Sequence, residues 1–160
     1  MPDIVSGGQT GVDRGALDAA LSMGVACGGW CPPGRRAEDG RIPMRYPLRE
    51  CSEAGYAIRT QRNVEDSDAT CILALGPLSG GTALTADLAQ RSGKPLLVVD
   101  LAEVPAGKAG RQAAAFVRLH TVKVLNVAGP RASEAPAAHS LAREAVIALI
   151  QTSHRESPDA

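Results

Sequence analysis

Two kinds of apolar pattern alternate along the chain. Short, nearly continuous apolar runs are each followed by a longer stretch whose apolar residues recur three or four positions apart. The first kind reads as a strand buried on both faces, the second as an amphipathic helix. Strands are expected at about residues 3–6, 25–30, 69–75, 95–101 and 123–129. Helices are expected at about 11–23, 51–66, 82–93, 110–120 and 136–152. Val12, Ala16, Ala19, Ala20 and Met23 sit at helical spacing, and Gly24 suits the end of that helix. Thr82 suits an N-cap, and Gly93 with Pro95 a stop. Gly55 weakens the helix expected at 51–66. The stretch "CPPGRRAEDGRIPMRYP" holds too much proline and glycine for a regular element.

Strands alternating with helices specify an α/β fold, a doubly wound parallel sheet of five main strands with helices on both faces. Residues 1–152 read as a single domain, and 153–160 as a disordered tail. Two strands end in a glycine pair that leads into a helix, Gly7-Gly8 and Gly80-Gly81. Such turns aim backbone N–H groups and a helix dipole at an anion. Ligands of open α/β sheets sit beyond the strand C-termini, where the winding reverses. Both turns face one crevice if the first and third strands are neighbours. The expected order is therefore 2-1-3-4-5, with a phosphate-bearing ligand at the junction.

Composition narrows the partners. In 160 residues, 17 Lys and Arg balance 17 Asp and Glu, so the footprint of a duplex nucleic-acid binder is missing. Aromatic residues are 2% of the chain, too few for a base-stacking platform. No apolar run is long enough to cross a bilayer. The N-terminus lacks the pattern of a signal peptide, and cytoplasmic location with reduced thiols is expected. Cys27, Cys31, Cys51 and Cys71 form no C-x-x-C pair, and the three histidines are scattered late; no metal site is expected.

The glycine turns match neither a P-loop nor G-x-G-x-x-G, so the residues alone predict an anion without naming it. Thr10 and Asp13 have the spacing of a helix cap; alternatively Asp13 accepts hydrogen bonds from a ligand, or holds Arg14 or Gln9 in place. Arg14 and Asp18 read equally as an exposed helix pair. Arg59, Thr60 and Asn63 share one helical face that could clamp an anion or support the glycine loops. Asp66 and Asp68 read as a cap and turn.

"SGGQTGVDRGALDAAL", "GGWCPPGRRAEDGRIP", "YPL", "RTQRNVEDSDAT" and "SGGTALT" occur in that order. Together they resemble the molybdenum carrier family, the molybdenum cofactor carrier proteins. That group is similar to the lysine-decarboxylase-like phosphoribohydrolases. The resemblance is strong over residues 3 to 100. It implies a Rossmann-like fold, a homo-oligomer (a tetramer), and storage or protection of the molybdenum cofactor for delivery to apo-molybdoenzymes. The cofactor is a pterin dithiolene with a terminal phosphate and an oxo-molybdenum centre. Its anionic groups would take the N–H groups of Gly7, Gly8, Gln9, Thr10, Gly11, Gly80, Gly81 and Thr82, and the hydroxyls of Ser6, Thr10, Ser79, Thr82 and Thr85. The resemblance also marks Trp30, Pro32, Glu38 and Asp39, on a loop expected to act as a mobile lid. Asp13, Arg14, Arg59 and Asn63 complete the expected set. Molybdate or a nucleotide would satisfy the same donors. A phosphoribohydrolase or a nucleotide-ligand sensor are the other readings. For the enzyme, the turn departs from the related P-G-G-x-G-T-x-x-E pattern: Ala83 and Leu84 replace a glycine and a threonine, and Asp87 stands where the glutamate would be.

Overall fold

The computed structural model describes residues 1–53 and 55–157. In chain order the elements are β1 (Asp3–Val5), α1 (Val12–Ser22), β2 (Cys27–Gly28), β3 (Trp30–Cys31), β4 (Arg36–Ala37), β5 (Gly40–Arg41), β6 (Arg49–Glu50), α2 (Tyr56–Glu65), β7 (Ala69–Ala74), α3 (Gly80–Ser92), β8 (Leu96–Asp100), α4 (Ala106–Leu119), β9 (Val124–Ala128) and α5 (Ala138–Arg155). A 3₁₀ turn covers Pro33–Arg35. The architecture is the expected Rossmann-like α/β sheet. α1, α5 and α4 pack side by side, and α2 packs on α3 across the sheet.

The five main strands are all parallel, in the order β2-β1-β9-β7-β8. Counted as main strands this is 2-1-5-3-4, which corrects the expected 2-1-3-4-5. The last strand is wedged between the first and the third. At the sheet edge Val98 of β8 is 44% exposed, while Leu125 and Val127 of β9 are buried. Polar groups fix the insertion. The Asp68 carboxylate, at the entry of β7, accepts the N–H groups of Lys123 and Val124 at 2.9 Å each. On the other side the Ser6 hydroxyl donates to Val127 O at 2.7 Å. Each bond satisfies a polar group that the wedge would otherwise bury or leave at a strand end.

Helices α1, α5 and α4 meet almost backbone to backbone. A Cβ on Gly15 would lie 2.5 Å from His139 O, and one on Gly110 would lie 2.3 Å from Ala145 O. The alanine-rich faces of these helices serve the same close approach, and with β7 and β9 they form the main core. The helix expected at 51–66 begins only at Tyr56, after Gly55 at φ 121°; Ala54 lies outside the described residues. Its C-terminus is capped by Lys94, whose Nζ donates to the carbonyls of Val64, Glu65 and Ser67 at 3.2, 2.5 and 2.7 Å. α3 starts at Gly80 with Ser79 as N-cap, three positions earlier than the expected N-cap Thr82. α5 runs on to Arg155, so the expected tail is helical over Ser153–Arg155; residues 158–160 lie outside the described residues.

Candidate functional site

The C-terminal ends of β1, β7 and β9 open into one cavity of about 360 Å³. The wedge of β9 does not separate the two glycine turns, because Gly7 on one side and Gly80 and Gly81 on the other both line it. α3 points its N-terminus into this space, and no side chain caps it. An uncapped helix start offers N–H groups and partial positive charge.

The opposite wall is α1 and α2. Asp13, in the first turn of α1, is 6% exposed. Its Oδ2 accepts the Gln9 N–H at 3.3 Å and lies 3.4 Å from Arg59 Nη1. Burial pushes the Asp13 carboxyl up, against the lowering pull of Arg59, the Gln9 N–H and the Ser6 hydroxyl. Gly7 makes this cluster fit, since a Cβ there would stand 1.6 Å from Arg59 Nη1 and 3.0 Å from Asp13 Oδ2. Of the alternatives open for Asp13, the structure shows it holding Gln9. Thr10 is not the cap of α1: the N-cap is Gly11, without a side-chain bond.

Of the residues expected at the site, Gly7, Gln9, Asp13, Arg59, Asn63, Gly80, Gly81, Thr82 and Thr85 line the cavity. Gly8, Thr10, Gly11, Arg14, Trp30, Pro32, Glu38, Asp39 and Ser79 do not. Gly8 faces away from it, towards Leu48 and Ile42, and Gly11 abuts the Pro130 carbonyl. Pro32 is buried and precedes the 3₁₀ turn. Ser79 borders a side chamber of about 90 Å³ that shares Thr82 and Glu134 with the main cavity. The sequence reading missed Asn126, Ala128, Gly129, Arg131 and Glu134. They follow from the position of β9, which was expected at the sheet edge. Asp87, the carboxylate aligned with the phosphoribohydrolase glutamate, is absent from the lining and pairs with Arg91 at 2.9 Å on α3.

The loop expected to be a mobile lid is stapled to the body of the protein beside the cavity. Leu17, Cys31, Ile42 and Tyr46 form a small core of their own. Arg35, 3% exposed, donates Nε to Ile42 O at 3.0 Å, Nη1 to Leu48 O at 3.2 Å, and Nη2 to Pro43 O and Tyr46 O at 2.8 Å each. Tyr46 Oη donates to Asp18 at 2.7 Å, and His139 Nε2 lies 2.7 Å from the other oxygen of that carboxylate. Asp18 is thus not the partner of Arg14.

Glu38 and Asp39 close the β4–β5 hairpin and dock it on the rim. Arg14 Nη1 and Nη2 donate to the two oxygens of Asp39 at 2.5 and 2.8 Å, while Arg14 Nε donates to Gly8 O at 3.0 Å. Glu38 accepts from Thr10 Oγ1 and from the Ser133 N–H and hydroxyl, and it lies 3.6 Å from Arg131 Nε. The Glu38 N–H donates to Gln9 Oε1 at 3.0 Å. The Ser133 and Thr10 hydroxyls hold the Glu38 carboxyl below its ordinary 4.5, and the bonds from Arg14 hold Asp39 below its ordinary 3.8. Lowered carboxyl values stabilise the docked hairpin fully above those ordinary values, and the stabilisation is lost as pH falls through the lowered ones. Amide protection factors in residues 36–41 are therefore expected to be flat from neutral pH to about 5 and to fall only in stronger acid. Asp39→Asn should bring the loss of protection to neutral pH; protection unchanged in that variant would show that the latch does not hold the hairpin.

Trp30 lies over a second cavity, of about 340 Å³, beside β1 and β2. Its indole N–H donates to Asp66 at 2.7 Å, and the Arg49 and Arg62 guanidiniums each lie 4.9 Å from the ring centre. Asn63 uses its amide on the Trp30 backbone, accepting the N–H at 2.8 Å and donating to the carbonyl at 3.0 Å. Among the described residues no group of three His, Cys, Asp or Glu is placed to hold a metal ion. No helix among them is long and apolar enough to cross a membrane.

The chain is similar to a crystal structure described as "Putative molybdenum carrier protein" from Syntrophus aciditrophicus SB. The two are 41% identical, with a TM-score of 0.87, over 96% of this chain and 94% of that one. No curated protein matches the chain. The family model described as "Circularly permutated YpsA SLOG family" matches residues 4–150. A match over nearly the whole sheet and its crevice, with so similar a solved relative, settles the family: the chain belongs to the circularly permutated YpsA SLOG family.

Proposed function

We propose that the protein binds the molybdenum cofactor in the β1–β7–β9 cavity, shielding it for handover to apo-molybdoenzymes, with the anionic end of the cofactor at the start of α3. The observation that carries this reading is the uncapped α3 N-terminus opening into a cavity opposite the Asp13–Arg59 wall. The N–H groups of Gly80, Gly81 and Thr82 suit a phosphate or oxo-anion. Asp13 and Asn126 suit the amine and lactam edge of a pterin, and Leu84 and Val127 supply apolar surface. The volume is that of a small-molecule site rather than a surface dimple. The carrier role and molybdenum come from the name of the similar structure. Cytoplasmic location and a homotetramer belong to the same reading. The outward pairing of Asp87 with Arg91 makes a phosphoribohydrolase a poorer fit.

The test is native mass spectrometry with elemental analysis, on protein made in a host that accumulates mature cofactor. Wild type should carry the cofactor mass with stoichiometric molybdenum, and a folded Gly7→Ala protein should carry at least about tenfold less. The added Cβ would displace Arg59 from the wall. A bound nucleotide without molybdenum would defeat the carrier reading. Full loading of Gly7→Ala would defeat the assignment of this cavity.

A further inference from the structure

The β4–β5 hairpin segregates its charges. Its two acids turn inward onto the body of the protein, Glu38 onto Thr10, Ser133 and Arg131, and Asp39 onto Arg14. Arg36 and Arg41 are left outside. They are directly opposite one another in the antiparallel register, so both side chains leave the same face of the ribbon. Both are exposed, and among the described residues neither takes part in an ion pair. The remaining carboxylate of this loop, Glu50, accepts the Gly34 N–H at 2.6 Å. Met44 extends the same patch: its sulfur lies 3.9 Å from Arg41 Nη2, and the residue is 71% exposed.

Like charges facing each other across a two-stranded ribbon are destabilising. A ribbon of two residues per strand has almost no stability of its own. Among the described residues no ion pair of these two arginines offsets their repulsion, and the inward latches with the Arg35–Ile42 bonds at its base hold the hairpin in shape. We propose that the outer face of the hairpin, Arg36 and Arg41 with Met44 beside them, is a docking surface for an acidic protein partner. Carboxylates placed between the two guanidiniums would relieve their repulsion and take bidentate hydrogen bonds. An exposed methionine adds adaptable apolar contact of the kind found within protein interfaces. A phosphate backbone would have no use for that methionine and would call for a longer basic stripe than a chain of zero net charge provides. The tip of the same hairpin contacts Gln9 and Arg131, both of which line the main cavity. A partner docked here therefore touches an element that holds part of the cavity lining. The surface itself does not depend on which ligand the cavity takes.

The test is calorimetric titration of the full chain at low salt with a short all-glutamate peptide. Wild type should bind it, and binding should weaken about tenfold or more in Arg36→Ala/Arg41→Ala. Arg91→Ala, an exposed arginine on α3, should bind like wild type. Arg36→Glu/Arg41→Glu should lose the glutamate peptide and take up an all-lysine peptide, which separates a changed surface from a damaged fold. No binding by wild type, equal binding by the double alanine variant, or a failure to exchange peptides would each overturn the proposal. Tighter arginine-dependent binding of duplex DNA than of the peptide would overturn it in favour of a nucleic-acid surface.

Discussion

Arg35→Leu is expected to destabilise the protein by about 3–5 kcal/mol and to release the whole 32–50 loop. The guanidinium ties the carbonyls of Ile42, Pro43, Tyr46 and Leu48 together. Removing it leaves the Ile42 and Leu48 carbonyls without that donor, at about 1–3 kcal/mol for each one that water cannot reach, while Pro43 O and Tyr46 O keep the N–H groups of Tyr46 and Leu48. Arg35 also sits at φ 55°, where a residue with a side chain is at a disadvantage that only its bonds offset. Arg35→Lys should fall in between, since a single ammonium cannot span the fork. Urea denaturation gives the energy, and amide exchange at Ile42 and Leu48 shows whether the loop opens. A variant with wild-type midpoint and exchange would mean that the small core of Leu17, Cys31, Ile42 and Tyr46 holds the loop unaided.

Gly29→Ala should be comparably damaging, by about 3 kcal/mol or a fall in Tm of about 10 °C. The residue stands between β2 and β3 at φ 133°, and a Cβ would lie 2.1 Å from Ser6 O and 2.9 Å from Ser6 N. Both neighbours are backbone, so no rotamer change relieves the clash. β1 and β2 would have to part at the Ser6–Gly28 hydrogen bond. Ser6 precedes Gly7 of the cavity wall, so ligand capacity should fall with stability. Gly81→Ala is the comparison: its Cβ meets nothing within 4 Å, and its Tm should stay within a degree or two. A Gly29→Ala protein that melts with wild type would show that β2 is free to shift.

Much of this was legible in the sequence, and the pattern of what was not is physical. Nearly continuous apolar runs located β7, β8 and β9, most clearly β7, which is buried along its whole length; the strand expected at 25–30 is only Cys27–Gly28, with Trp30–Cys31 in a separate two-stranded pairing. Glycine pairs located the crevice: Gly7 leaves room for the Arg59 side chain, and Gly8 and Gly80 turn the chain at positive φ. Strand order was not legible from hydrophobicity: "PLLVVDL" is the more apolar run, yet it forms the edge, while "KVLNVAG", with a buried asparagine, lies inside. The signal was present in Asp68, whose carboxylate fixes β9 beside β7, but a carboxylate ahead of a strand reads equally as a turn. Misplacing β9 hid Asn126, Arg131 and Glu134 from the candidate site. Glu38 and Asp39 were singled out, but sequence does not distinguish a carboxylate that meets a ligand from one that latches the loop beside it. The expected order is nonetheless embedded in the fold. Numbered from β7 through β9 and then on to β1 and β2, the sheet reads 2-1-3-4-5, as the family's circular permutation implies.

The wedge position of β9 also bears on how the molecule is made. β1 is three residues long and has β9 as one of its two neighbours; the Ser6–Val127 bond that closes this seam joins residues 121 positions apart. During synthesis the ribosome has delivered β1, β2, β7 and β8 before the strand that unites them exists. The two half-sheets must wait with their facing edges unpaired. A topology so dominated by distant pairing folds slowly, and exposed edges are where nascent chains associate wrongly. The cavity borrows a wall from each half-sheet and one from the wedge, so it cannot form in the growing chain. On the proposed function, a ligand would enter this cavity only after synthesis, and one spanning all three strand ends would act as a clasp on the last folding step.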